Sequence, residues 1–126
     1  MSLEAVEQQP RIPLTRYRLV ERVVSDCAGA TVTVRLMPED VRWEIYFHSP
    51  VGYRVFDERD LLSYWPACSG GTVFEITEGG WLSRSDFDAD LTSTGFYGRV
   101  REFFVEGEDQ CVSVLANEPP AISRVG

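Results

Sequence analysis

Acid–base chemistry near neutral pH needs a side chain that titrates there, and this sequence offers one histidine, His48. It closes the run Val-Arg-Trp-Glu-Ile-Tyr-Phe-His, residues 41–48, four residues after Glu44 and two after Tyr46. Catalysis would also need a nucleophile or an oxyanion donor close by, and the spacing supplies neither. His48 therefore reads as a surface histidine beside a turn.

Carboxylates are the next candidates. Asp86, Asp88 and Asp90 place acids at alternate positions, as the opening of a calcium loop does. Such a loop also needs glycine at its sixth position and glutamate at its twelfth, where this chain has Leu91 and Tyr97. The run reads as a solvated acidic loop. Glu58 with Asp60, or Glu44 with Asp57, could pair for acid–base work only inside a cleft that raises one pKa. All four fall at strand edges or a helix start, where acids ordinarily sit. Ser69-Gly70-Gly71-Thr72 lacks the lysine and spacing of a phosphate loop. Arg99 and Arg101, alternating about Val100, fit cross-strand ion pairs better than a nucleic-acid surface. The three cysteines, Cys27, Cys68 and Cys111, form no C-x-x-C pair and no zinc spacing with His48. They read as reduced thiols, mostly buried, in a reducing compartment. No metal and no cofactor is expected.

Charge narrows the partners. Twelve bases face twenty acids, for a net charge of −8, and every base is arginine. Residues 38–95 hold eleven of those acids against four arginines, while residues 14–37 are slightly basic. That field repels phosphate backbones, so nucleic acid is not an expected partner, and a basic protein is. No apolar run reaches the roughly 18 residues of a membrane helix, and the N-terminus lacks the basic and apolar regions of a signal peptide. A cytoplasmic location without membrane contact is expected.

The elements that would position these residues read as follows. Residues 1–13, with Pro10 and Pro13 near their end, form a flexible arm or an edge extension; residues 14–126 form one domain. Residues 16–24 and 31–37 are strands, and 41–48 alternates Val41, Trp43, Ile45 and Phe47 with polar residues. A turn at 49–52 leads into 53–56, completing a three-stranded meander with 31–37 and 41–48. Asp57 caps a helix that turns Leu61, Leu62 and Trp65 inward and stops at Pro66. Residues 73–76 form a short strand, 81–91 a short helix or irregular turn, and 97–105 with 111–116 a second hairpin. The doubly apolar end of 97–105 marks a central strand. Trp43, Trp65 and Trp81 all fall at core positions, with Trp81, beside Gly79-Gly80, expected to be the partly exposed one. The fold class is α+β: a mostly antiparallel sheet of about six strands with one or two short helices.

The run Tyr53-Arg54-Val55-Phe56-Asp57-Glu58-Arg59-Asp60-Leu61-Leu62, the Trp81-Leu82 step and the closing Val112-Ser113-Val114-Leu115-Ala116-Asn117-Glu118-Pro119 carry a resemblance over residues 41–122. In this the chain resembles small acidic bacterial proteins of unknown function, some similar to immunity proteins that neutralise toxins of neighbouring cells. The resemblance carries no functional residue over. Together with the charge, it implies a non-catalytic module that blocks a basic partner protein. Asp57, Glu58 and Asp60, with Asp86, Asp88, Asp90 and an exposed Trp81, would form the binding surface. The competing reading is a small-molecule or enzymatic pocket between sheet and helix near Tyr46, His48 and Trp65. A homodimer, through a strand edge or the 1–13 arm, is compatible with both.

Overall fold

Alternation along the strands decides the layers. In the computed structural model, which describes residues 3–57, 64–68, 70–83 and 100–125, Ala30, Val32, Val34 and Leu36 of β3 (Gly29–Met37) all face one side and are buried. Ile45 and Phe47 of β4 (Val41–His48) join them from the next strand. The β3–β4 turn closes at Asp40, at φ 59°. Aspartate tolerates this left-handed backbone. Its carboxylate accepts a 2.7 Å bond from Arg35 Nε.

With β2 (Tyr17–Ser25) and β9 (Ala121–Arg124) these strands make an antiparallel sheet of order β2-β3-β4-β9. The other five strands are β1 (Glu4–Glu7), β5 (Gly52–Asp57), β6 (Val73–Glu78), β7 (Arg101–Val105) and β8 (Gln110–Ala116). They form a second antiparallel sheet of order β1-β6-β7-β8-β5. The two sheets share one apolar core. Val20, Val32, Val34, Ile45 and Phe47 of the four-stranded sheet meet Val73, Phe103, Val105, Val112 and Val114 of the five-stranded one. At the centre the rings of Phe47 and Phe103 lie 5.7 Å apart.

The far face of the five-stranded sheet is also covered. Phe74, Ile76, Phe104 and Cys111 point there and pack with Tyr64 and Cys68. These two residues bracket a single-turn helix, α1 (Trp65–Cys68), closed by Cys68 N–H donating to Tyr64 C=O at 3.0 Å. A 3-10 turn, Trp81–Ser83, lies beyond β6.

Several expectations are corrected here. Among the described residues, about six strands in one sheet become nine in two sheets, with very little helix, because the short edge strands β1 and β9 have too few residues to show a pattern. Strand 53–56 does not extend the meander. Ser49, at φ 45°, still donates its N–H to Ala28 C=O, whereas Val51 donates to Leu115 C=O in the other sheet. Residues 49–52 are thus a crossing between sheets, and β5 pairs with β8. Asp57 is not a helix cap but the last residue of β5, opposite Gln110. Residues 58–63 of the expected helix, with Leu61 and Leu62, lie outside the described residues.

Pro66 does not stop a helix; it occupies the first turn of α1, where a missing N–H costs nothing. Trp65 is 39% exposed, and Cys68 takes the inward position instead. Trp65, not Trp81, is therefore the most exposed of the three tryptophans. Residues 3–13, expected as an arm or an edge extension, carry the edge strand β1, and Ile12 lies in the shared core.

Burial sets the expected energetics. Phe103→Ala should cost about 3–5 kcal/mol in a urea unfolding series. Trp65→Ala should cost less, about 2 kcal/mol, since the residue is 39% exposed. Equal losses at the two positions would contradict this placement of α1.

Candidate functional site

Glu102 stands in the middle of β7 in the run Arg-Glu-Phe-Phe-Val, on the same face as Phe104, and is 1% exposed. A carboxylate so placed must find donors or lose its charge. Two segments supply them. Tyr64 Oη–H donates to Oε2 at 2.6 Å, and Leu82 N–H donates to Oε1 at 3.2 Å. The first comes from the residue preceding α1, the second from the 3-10 turn, so one carboxylate ties both segments to the sheet. Gly80 makes the approach feasible: a Cβ there would stand 2.5 Å from Glu102 Oε1 and 2.6 Å from Ile76 Cγ2.

Burial pushes the Glu102 carboxyl above the usual carboxylate range, against the pull of its hydrogen bonds and of Arg54. The Tyr64 hydroxyl is raised as well, by burial first and then by the Glu102 charge. Arg54, on β5, places its guanidinium 4.5 Å from the Phe56 ring centroid and 4.2 Å from that of Trp81. A cation between two rings in a half-buried layer is favourably held. Ser113, opposite Arg54 on β8, is fully buried, and among the described residues its Oγ has no hydrogen-bond partner.

Beside this network an open cleft of about 230 Å³ is lined by Glu75, Glu78, Gly79, Leu82, Arg101 and Glu102, among others. Arg101 Nε and Nη2 donate to the two Glu75 carboxylate oxygens, both at 2.7 Å. This is the cross-strand ion pair expected of Arg101, and it raises the guanidinium pKa. Arg99 lies outside the described residues.

Of the residues expected at a binding surface, the structure describes Asp57 and Trp81. Asp57 is exposed at the end of β5, and Trp81 is half-buried against Arg54 on the other face of the same strand. Glu58, Asp60, Asp86, Asp88 and Asp90 lie outside the described residues.

The expected pocket near Tyr46, His48 and Trp65 is not assembled. Tyr46 and His48 alternate with the core residues Ile45 and Phe47, so they face outward from the four-stranded sheet. Trp65 belongs to α1, against the outer face of the other sheet. Both sheets lie between them. Glu102 was the residue that sequence reasoning passed over. Its signal was an acid inside a strand apolar on both faces.

None of the three cysteines forms a disulfide; Cys27 is exposed, and Cys68 and Cys111 are buried. Burial pushes the Cys68 thiol up to about 12, with Glu106 and Cys111 adding to the effect. Among the described residues no cluster of His, Cys, Asp or Glu could hold a metal ion, and no helix is long and apolar enough to cross a membrane. No protein-family model, curated protein or solved structure matches the chain.

The Glu102 network has a definite pH behaviour. A carboxyl whose folded pKa lies above its unfolded value holds a proton that the unfolded chain has released, so stability falls as pH rises between the two. Glu102→Gln removes that slope, and its amide can still serve both partners, donating to Tyr64 Oη and accepting from Leu82 N–H. The stability of Glu102→Gln relative to wild type should therefore increase from pH 4 to pH 8 in urea titrations. A constant or shrinking difference would refute the raised pKa. Glu102→Ala strands the Tyr64 hydroxyl and should be destabilised by about 1–3 kcal/mol at every pH. Gly80→Ala should be destabilised through the same carboxylate, and Glu102→Ala should partly relieve it in the double mutant.

Proposed function

We propose that this protein is a non-catalytic binding module for a basic partner protein, of the immunity-inhibitor type, acting in a reducing, cytoplasmic setting. The observation that carries this reading is the disposition of positive charge. Arg11, Arg18, Arg35, Arg42 and Arg101 each lie within 4.0 Å of a carboxylate. Bidentate hydrogen bonding by Arg42 holds Glu21 below its ordinary pKa, and the Arg35 hydrogen bond does the same for Asp40. With these cations answered locally, the net charge of −8 is expressed by acids such as Glu4, Glu39, Glu78 and Glu118, all exposed. An acidic field of this kind steers a basic protein into encounter and disfavours nucleic acid.

A second reading, a small-ligand site, draws on the cleft beside Glu102, where a buried carboxyl of raised pKa lines an opening. It replaces the pocket near His48.

Affinity capture from lysate at low salt, followed by binding kinetics with the captured partner, tests the main reading. The partner should be basic, and its affinity should fall at least about tenfold between 50 and 500 mM salt, chiefly through the on-rate. Joint Asp57→Asn, Asp86→Asn, Asp88→Asn and Asp90→Asn substitution should slow association without changing the melting temperature. Salt-independent binding would exclude the electrostatic reading, and a small amine that raises the melting temperature in place of any protein partner would favour the cleft.

A further inference from the structure

Two segments far apart in sequence close over one carboxylate. Tyr64, just before α1, donates its hydroxyl to Glu102 Oε2 at 2.6 Å. Leu82, in the 3-10 turn, donates its N–H to Oε1 at 3.2 Å. The Trp81 backbone hydrogen-bonds to both the Tyr64 hydroxyl and the Glu102 carboxyl, so the turn also touches Tyr64 directly. The Tyr64 ring packs on Phe104 with centroids 4.7 Å apart, which holds the hydroxyl over the sheet. Between them the two segments cover a carboxylate that water does not reach.

A hydrogen bond to a carboxylate is strong where water is excluded and weak where water competes. Lifting either segment admits water to Glu102, and the bond that holds the other segment then weakens. The open states of the two segments are therefore favoured together. Each segment also serves a different surface. Gly80, Leu82 and Glu102 line the cleft, whereas α1 begins with the exposed Trp65.

We infer that Glu102 makes the 3-10 turn and α1 one cooperative unit, a clasp that couples the wall of the cleft to the surface carrying Trp65. A group seated in the cleft that steadies Leu82 steadies Tyr64 and α1 as well, and a contact that orders Trp65 steadies the cleft wall. Tyr64, Cys68 and Phe104 belong to the outer cluster, while Phe47 and Phe103 belong to the core between the sheets. The clasp opens, therefore, while the sandwich stays folded. This coupling depends on neither functional reading above.

Native-state hydrogen exchange on the full chain, followed by NMR, tests the clasp through two backbone amides. Leu82 N–H is bonded to Glu102, and Cys68 N–H to Tyr64 C=O. In low urea both should exchange through a single opening, with equal protection and the same urea dependence, shallower than that of the β3 amides. Tyr64→Phe keeps the ring and the backbone carbonyl and removes only the hydroxyl. It should speed exchange at both amides by one common factor, at least about fivefold. Faster exchange at Cys68 with Leu82 unchanged would mean that the segments open separately, and would overturn the coupling. So would unequal openings in the wild type, a comparison that needs no variant to fold. A urea dependence at both amides as steep as that of β3 would overturn it too, because exchange would then report global unfolding alone.

Discussion

The middle strands of the five-stranded sheet have an apolar layer on each face, and most of the molecule answers to that condition. Phe103, Val105, Val112 and Val114 fill the space between the sheets, while Phe104 and Cys111, one residue out of phase, meet α1 and its flanking residue Tyr64. Nearly every side chain of β7 and β8 is consequently withdrawn from water. In such a place a polar atom has no solvent to fall back on. Tyr64 and the Leu82 amide are therefore held where Glu102 needs them, and Gly80 leaves the room that a side chain would take. The same carboxylate positions the residue before α1 and the 3-10 turn.

A second buried charge works across the sheets. Arg18 of β2 is almost fully buried and donates to Gly71 C=O and to Thr72 Oγ1, with Glu106 and Glu108 at 4.0 and 3.8 Å. Glu108 N–H in turn donates to Arg18 C=O. The guanidinium thus joins β2 to the approach of β6 and to the β7–β8 turn, two places that belong to the other sheet. Removing it would leave a buried hydroxyl and carbonyl without their donor. Such a network specifies which ends of the two sheets meet, a task that interchangeable valines across the core cannot perform.

Arg35 and Arg42 on the outer face of the four-stranded sheet are matched with Glu21 and Asp40. β5 is one of three strands, with β2 and β9, that the chain reaches by crossing between sheets. Its aromatic and β-branched residues stay outside because β5 terminates its sheet among the described residues, and the core is already complete without them.

Strict alternation in β3 and β4, and the doubly apolar end of β7, were legible in the sequence because side-chain parity is local: each residue declares its face by what precedes and follows it. The two hairpins β3–β4 and β7–β8 followed for the same reason, since short turns join neighbours. So did the cross-strand role of Arg101. Which sheet β5 would join was not legible. The four residues at 49–52 suit a hairpin as well as a crossing, and only the core, already filled on the β4 side by β9, decides between them. β1 and β9 were hidden because four residues carry too little pattern, and their pairing rests on partners dozens of residues away. Trp65 looked like a core residue by type, yet Cys68 occupies that position once Pro66 starts the turn. Glu102 looked like any strand acid. Its burial depends on Tyr64 and Leu82 arriving from two separate segments, and that convergence exists only in three dimensions.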